Sequence, residues 1–256
     1  MTETSTGTVS RALKLLAFIA DAEGEVTVKH VSEAMGLAPS TVHRLLNLLR
    51  ADDFVTTGTK SGTYAIGPQF YRVAARVVNR VSPSALAQPM LDSLVQQYDE
   101  TVVFGLYLPA ERAMSFVARS DGQQRLTYRM DMNRPLSLVW GASGKAILAY
   151  LPDDIVAEVL GAECSSPASG ASPPEPTALH EQLETVRRLG YAVSEDEKLH
   201  GARGIAAPVF GATGILGSLC LTSPKGRLDE AEVPRIGETI AHHAYTLSSL
   251  LGAYPA

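Results

Sequence analysis

The chain has 256 residues, 45% of them apolar and 19% charged, a composition that can bury one large core or two modest ones. No apolar run approaches the roughly 18 to 20 residues of a membrane span, and the first fifteen residues lack the apolar stretch of a secretory signal, so a cytoplasmic protein without membrane contact is expected. The two cysteines, Cys164 and Cys220, and the pair His242 and His243 fit neither a disulfide framework nor metal-ligand spacing, so no metal and no other cofactor is expected.

Charge is uneven along the chain. Residues 1–80 carry nine Lys or Arg against seven Asp or Glu, a net of +2, and the remainder carries thirteen against twenty, a net of −7. The total of −5 argues against a protein that coats nucleic acid throughout, while the first part permits a local DNA contact. Arg72, Arg76 and Arg80 come late and four apart, so charge alone does not establish a DNA-binding face.

In chain order, Val9, Leu13, Leu16 and Ala20 recur at helical spacing behind Ser10, and residues 21–24 stop that helix. A β-like stretch at 25–27 leads into a helix over 28–35, a turn at 36–39 and a second helix over 40–49. Residues 56–66 alternate weakly around Lys60-Ser61-Gly62, the pattern of two short strands joined by a hairpin. Gly67-Pro68 closes this unit, and 69–81 read as a connecting helix with Phe70, Val73, Val77 and Val81 on one stripe before Ser82-Pro83 breaks it.

Beyond the break the pattern is mixed. Helices are expected over 84–98, 144–151, 153–160, 177–189 and 229–251, and strands over 102–108, 113–119, 126–130, 191–194, 204–210 and 215–222. The stretch 161–176, rich in Ser, Pro, Gly and Ala, reads as a mobile surface loop. This order predicts an α+β fold with an antiparallel sheet, organised as a winged helix-turn-helix over 1–66, a linker helix over 67–82 and a larger domain over 83–256.

The segment with the clearest chemistry is 31–45. Val31 and Met35 bury the first helix, Gly36 permits the tight turn, and Leu37, Val42 and Leu45 close a small core. On the second helix Val42, Leu45, Leu46 and Leu49 take the inward positions, which leaves Ser40, Thr41, His43, Arg44 and Asn47 facing out. An ordinary helical hairpin also exposes polar residues, but here the following wing-like hairpin points to a recognition helix whose Arg reads guanine and whose hydroxyls meet phosphate. Lys60 at the hairpin tip is either a wing contact to DNA or a solvated turn lysine.

Enzyme readings centre on Gly141-Ala142-Ser143-Gly144-Lys145 and fail. A phosphate loop needs a glycine where Val139 stands and a hydroxyl where Ala146 stands, and a nucleophile elbow needs a final glycine where Lys145 stands. Cys220 lies mid-strand among apolar residues, a poor setting for a thiolate, and Asp153-Asp154 and Glu195-Asp196-Glu197 read as helix-cap or solvated acidic clusters. No catalytic residue is expected. An architectural DNA protein has no use for so large a mixed domain behind its reader.

Over essentially its whole length the chain resembles the IclR family of bacterial regulators. The resemblance is carried by 10–16 (SRALKLL), 40–46 (STVHRLL) and 64–68 (YAIGP), and in the second part by 144–149 (GKAILA), 190–193 (GYAV) and 205–209 (IAAPV). It implies a winged-helix domain that dimerises, a linker helix, a GAF-like effector-binding domain, and homodimers that often pair into tetramers. By position it places the effector at Ala142 and Ser143, Ser194 and Gly204, and Cys220 and Thr222, with Ser194, Gly204 and Trp140 standing where the family often has an acidic residue, a cysteine and a small residue. Trp140 either narrows the chamber or packs in the core, and Arg119, Arg129 and Arg203 are candidate counter-charges for a carboxylate. The expected protein is a ligand-responsive transcriptional regulator on double-stranded operator DNA. It would control a catabolic operon in response to a small organic acid or aromatic metabolite, as a repressor or activator according to where the operator lies.

Overall fold

A computed structural model of the chain describes residues 7–22, 24–78, 82–128 and 130–253, which part into two units between residues 81 and 82. In the first, α1 (Thr8–Asp21) buries Leu15, Leu16 and Ile19, and β1 (Val26–Thr27) runs straight into α2 (Val28–Met35). The Thr27 side chain caps α2 by accepting the His30 N–H at 3.2 Å. Gly36 ends α2 at φ +63, a left-handed backbone that glycine adopts without a Cβ clash, and so turns the chain into α3 (Pro39–Ala51).

The hairpin β2 (Val55–Thr57) and β3 (Thr63–Ile66) follows, with β1 added to give the antiparallel order β1-β3-β2. Val31, Val42, Leu45 and Leu46 close the core against α1, Val26, Val55 and Tyr64. Each fully buried leucine there contributes about 1.5–3 kcal/mol of burial free energy. The connecting helix α4 spans Pro68–Val78; Phe70 packs on this core, Val73 is 39% exposed, and Val81 of the expected stripe lies outside the described residues.

The second unit opens with α5 (Pro83–Tyr98), capped by the Ser82 hydroxyl, which accepts the Ala85 N–H at 3.2 Å. It continues through β4 (Thr101–Leu108), β5 (Ala113–Ser120), α6 (Ala142–Leu148), α7 (Asp153–Gly161), α8 (Pro176–Leu189), β6 (Ala192–Glu195), β7 (Ala202–Gly211), β8 (Gly214–Pro224) and α9 (Val233–Leu250). The strands form one antiparallel sheet in the order β5-β4-β8-β7-β6. Because side chains alternate across a strand, Leu219 and Leu221 join Val102, Phe104 and Ile205 under α5 and α9, while Cys220 joins Val103 and Ala206 under α6 and α8.

Three local expectations need correction. Residues 126–130 form no strand among the described residues: Leu126 is 61% exposed, and the outer edge of β5 is met instead by single bridges at Met114↔Leu136 and Phe116↔Met132. Alternation without a free neighbouring edge does not make a strand. The helix expected over 144–151 begins two residues sooner, at Ala142, and ends at Leu148, with all seven residues buried. The loop after α7 is anchored rather than loose, since Ser166 is 3% exposed and donates to the Glu197 carbonyl at 2.6 Å, and the Trp140 indole donates to the Cys164 carbonyl at 2.9 Å.

Candidate DNA-reading face and effector chamber

On α3 the inward residues Val42, Leu45 and Leu46 are completely buried, whereas Ser40, His43 and Arg44 are exposed and Thr41 and Asn47 half-buried. The Asn47 amide nitrogen lies 3.0 Å from His43 Nδ1, one turn away, so these two side chains brace each other on the surface. Arg44 makes no hydrogen bond or ion pair among the described residues and stands free for a partner. The helix starts at Pro39, which has no N–H, and the Thr41 and Val42 N–H groups both donate to the Ala38 carbonyl, so of its first turn only the Ser40 N–H is left without a hydrogen bond among the described residues.

The wing tip is organised by a residue that sequence reasoning passed over. The Glu25 carboxylate accepts the Thr59 N–H at 2.5 Å, the Thr59 and Thr63 hydroxyls at 2.8 and 2.6 Å, and the Lys60 N–H at 3.3 Å. The Thr59 N–H and these other donors favour the charged form and lower its pKa to about 2. Gly58 leaves room for this carboxylate, because a Cβ at that position would stand 2.4 Å from both Glu25 Cδ and Thr63 Oγ1 and would push the Glu25 side chain out of the turn. Lys60 sits on this turn with its ammonium unpaired among the described residues. The only advance signal was an acidic residue just before β1 and a threonine-rich hairpin.

In the second unit a chamber opens between the start of α6, the start of β7, the second half of β8 and the loop after β6. It is lined by Ala142, Ser143, Ser194, Gly204, Cys220 and Thr222 together with Phe116, Met130, Gly141, Glu197, Lys198, Leu199 and Ala202. The space open to the centres of water molecules is ≈ 40 Å³. Two acceptors fasten the start of α6: Gly141 N–H donates to Glu197 Oε2 at 2.9 Å and Ala142 N–H to Ser194 Oγ at 2.8 Å. Lys145, 6% exposed, completes this clamp by reaching Glu197 Oε1 at 2.5 Å. Glu197 is therefore a structural tie rather than part of a solvated acidic run.

Two polar groups in the chamber remain short of partners. Ser143, 4% exposed, has a buried hydroxyl with no partner beyond the weak Cys220 thiol. Lys198 makes no ion pair among the described residues; its ammonium has only the Ser137 carbonyl at 3.4 Å and lies 5.8 Å from the Phe116 ring centre. Lys198 is half-buried, and desolvation of its ammonium pulls its pKa down to about 8. Burial pushes the Cys220 thiol up, which keeps it neutral. Lys198 was missed because it ends the acidic run 195–197 and reads there as one more surface charge.

Trp140 and Arg203 do not line the chamber. The Trp140 ring is 7% exposed within the core on the α6 side. Arg203 lies on the opposite face of β7 from Gly204, where its Nε meets Glu195 Oε1 at 2.6 Å and its Nη1 the Leu228 carbonyl at 3.3 Å. Arg119 pairs with Asp121 at 2.7 Å, and Arg129 lies outside the described residues. Of the cationic groups considered, Lys198 is the one that faces the chamber without a carboxylate.

The family model of the IclR helix-turn-helix domain matches residues 8–58, and that of the bacterial transcriptional regulator IclR C-terminal domain matches residues 75–249. The probable HTH-type transcriptional regulator ArcR of Halobacterium salinarum is 31% identical over 233 residues, spanning 88% of this chain and 85% of its own. The crystal structure of a putative IclR regulator from Silicibacter sp. TM1040 superposes with a TM-score of 0.85 at 26% identity, covering 98% of each chain. An IclR homologue from Microbacterium hydrocarbonoxydans, solved with 4-hydroxybenzoate, shares the fold at a TM-score of 0.59 and 19% identity, over 97% of this chain and all of that one. No described helix is long and apolar enough to cross a membrane. With a helix-turn-helix in the first unit, an antiparallel sheet under helices in the second and family matches across both, the chain belongs to the IclR family and is a DNA-binding transcription regulator, not an enzyme.

Proposed function

We propose that the protein is a ligand-responsive regulator whose effector is a compact organic acid held in the chamber at the start of α6, with its carboxylate on Lys198 and Ser143. The observation that carries this reading is the pairing, in one chamber, of an ammonium without a carboxylate and a buried hydroxyl without a normal partner. Buried polar groups left unpaired cost free energy, and an anion there satisfies both at once. Size narrows the class. A void of ≈ 40 Å³ for water centres holds about three waters, roughly 90 Å³ of liquid, which suits an acid of about two to four carbons. The 4-hydroxybenzoate of the Microbacterium homologue is larger, and an aromatic acid would have to widen this chamber.

Ser40, Thr41, His43, Arg44 and Asn47 are read as the groups that meet the major groove, with Lys60 on phosphate or in the minor groove. The working form is read as a homodimer on a two-fold symmetric operator, pairing further into tetramers in some states. Val9 and Leu13, 74% and 63% exposed on α1, support an apolar contact between copies. Calorimetric titration of the full chain tests the effector reading. Compact carboxylates should bind saturably and change operator affinity, while the matching neutral amides should bind at least about tenfold more weakly, a difference of 1.4 kcal/mol. Equal binding of acid and amide would remove Lys198 from recognition.

A further inference from the structure

The second unit holds another cavity, far larger than the chamber, at the open end of the sheet. Strand β6 pairs only with residues 203–206 of β7, so β7 runs on to Gly211 without a neighbour on that side. A recess of ≈ 630 Å³ opens there, walled by Tyr150 and Phe210 on one side and by Ala241, Tyr245, Ser248 and Ser249 of α9 on the other. That volume lies within the range of small-molecule sites, about 300–1,000 Å³.

Its chemistry selects a class of guest. None of the lining residues carries a charge, so an ion placed there would lose hydration without gaining a partner. Tyr150 and Phe210 stand edge to face at 4.9 Å between centroids, which presents ring surface to a flat partner. Burial raises the Tyr150 phenol above its ordinary pKa, so it stays a neutral donor. An added peptide strand is disfavoured on two counts: Pro208 has no N–H to offer, and the Phe210 N–H is already taken by Ser248 Oγ at 2.9 Å. What remains suited is an uncharged, planar aromatic molecule.

The recess is also joined to the chamber by two rigid elements. Ala142 and Ser143 at the start of α6 line the chamber, and Tyr150, just past its end, lines the recess. Gly204 and Ala207 do the same along β7. Every residue of α6 is buried, so a shift at one end of this short helix is passed to the other rather than absorbed by solvent. We infer that this recess is a second effector site, for a neutral planar aromatic compound, coupled through α6 and β7 to the acid site. The coupling rests on the chamber being the acid site; binding in the recess does not.

Indole is the probe, titrated into the full chain by calorimetry and ligand-observed NMR. Saturable binding is expected with a dissociation constant below about 1 mM, at least about tenfold weaker for the anion indole-3-acetate, and lost in Ala241→Trp, which fills the recess. Ser249→Trp, on the exposed side of α9, serves if the first variant does not fold. Lys198→Met should weaken acid binding by about a hundredfold yet keep indole binding, which separates failure of the acid reading from failure of this one. Indole should shift acid affinity by about fivefold or more, and the acid should shift indole affinity by the same factor. No saturable indole binding, binding that survives both tryptophan variants, or an acid affinity indifferent to indole would overturn the proposal. So would indole binding that appears only on dilution to monomers, or that tightens in a chain ending at Ala253, since a second copy or the chain's own last residues would then be the occupant.

Discussion

The groups that α3 offers to a partner stand on the outside of a helix whose other side is fully packed, whereas those of the chamber stand inside the second unit, where a helix start, two strands and a loop converge. The difference is energetic. Arg44 and Ser40 are hydrated when nothing is bound, so they cost the free protein nothing and can be exchanged with little effect on folding. Ser143 is held out of water without a normal partner and the Lys198 ammonium is desolvated without a carboxylate, so on the reading proposed above the unliganded chamber carries a standing penalty that an anion would relieve. A reader built on exposed groups gains specificity only from its partner; a sensor built on buried ones stores part of its response in its own unliganded state.

The sharpest way to break this contrast is to damage one region and read out the other. Leu45→Ala, in a completely buried position, should cost about 2–5 kcal/mol and abolish operator binding while leaving acid binding in the second unit intact, checked by urea unfolding and calorimetry. Loss of both functions would mean that the two units fold as one. Lys198→Met should weaken acid binding by about a hundredfold, near 2.7 kcal/mol, with operator affinity in the absence of acid within about threefold of the parent. Because the free ammonium titrates near 8, acid affinity should hold from pH 6 to 7 and fall as pH rises past that value and the cation is lost. A flat profile between pH 7 and 9.5 would contradict the assignment.

Smaller effects are expected on the DNA side. Arg44→Ala should cost about 1–3 kcal/mol on a specific operator and relax preference at one base pair per half-site, measured by competition against altered sites. Equal loss on random DNA would make Arg44 a phosphate contact. The mildest change is Glu25→Gln, which should loosen the wing turn and weaken DNA binding only about two- to fivefold, through Lys60. The sign with pH is fixed by the lowered carboxyl: its contribution is complete above the ordinary value of 4.5 and is lost as pH falls through about 2. The Thr59 amide proton shift should therefore titrate near 2 rather than near 4.5.

What the sequence showed of these regions follows from the same contrast. The period of Val42, Leu45 and Leu46, with Gly36 ahead of it, marks an amphipathic helix after a tight turn, and the exposed side is then read off by subtraction. Strands β7 and β8 declare themselves through β-branched and apolar runs with a glycine turn. The chamber is assembled from residues distant in the chain, so periodicity marks only the strand positions Cys220 and Thr222. Ala142, Ser143, Ser194 and Gly204 came from family likeness, and Lys198 from neither, because its neighbours 195–197 set a solvated pattern that only the Glu197 clamp reverses. Residues 126–130 show the opposite failure: local alternation is present, and the partner edge it would need is covered by other residues.

The carboxylate of Glu25 has a consequence for how this regulator can change over evolutionary time. The wing tip is tied back to the segment before β1, and no hydrogen bond among the described residues ties it to α3. Substitutions along Ser40, His43 and Arg44 therefore leave the tip's geometry untouched, and changes at Lys60 leave the helix untouched. With the roles proposed above, a lineage could rewrite the bases it prefers in one groove while keeping its grip on the backbone, or tune the grip while keeping the preference. Such modular inheritance would let duplicated copies acquire new target genes one substitution at a time without passing through a form that has lost its hold on DNA.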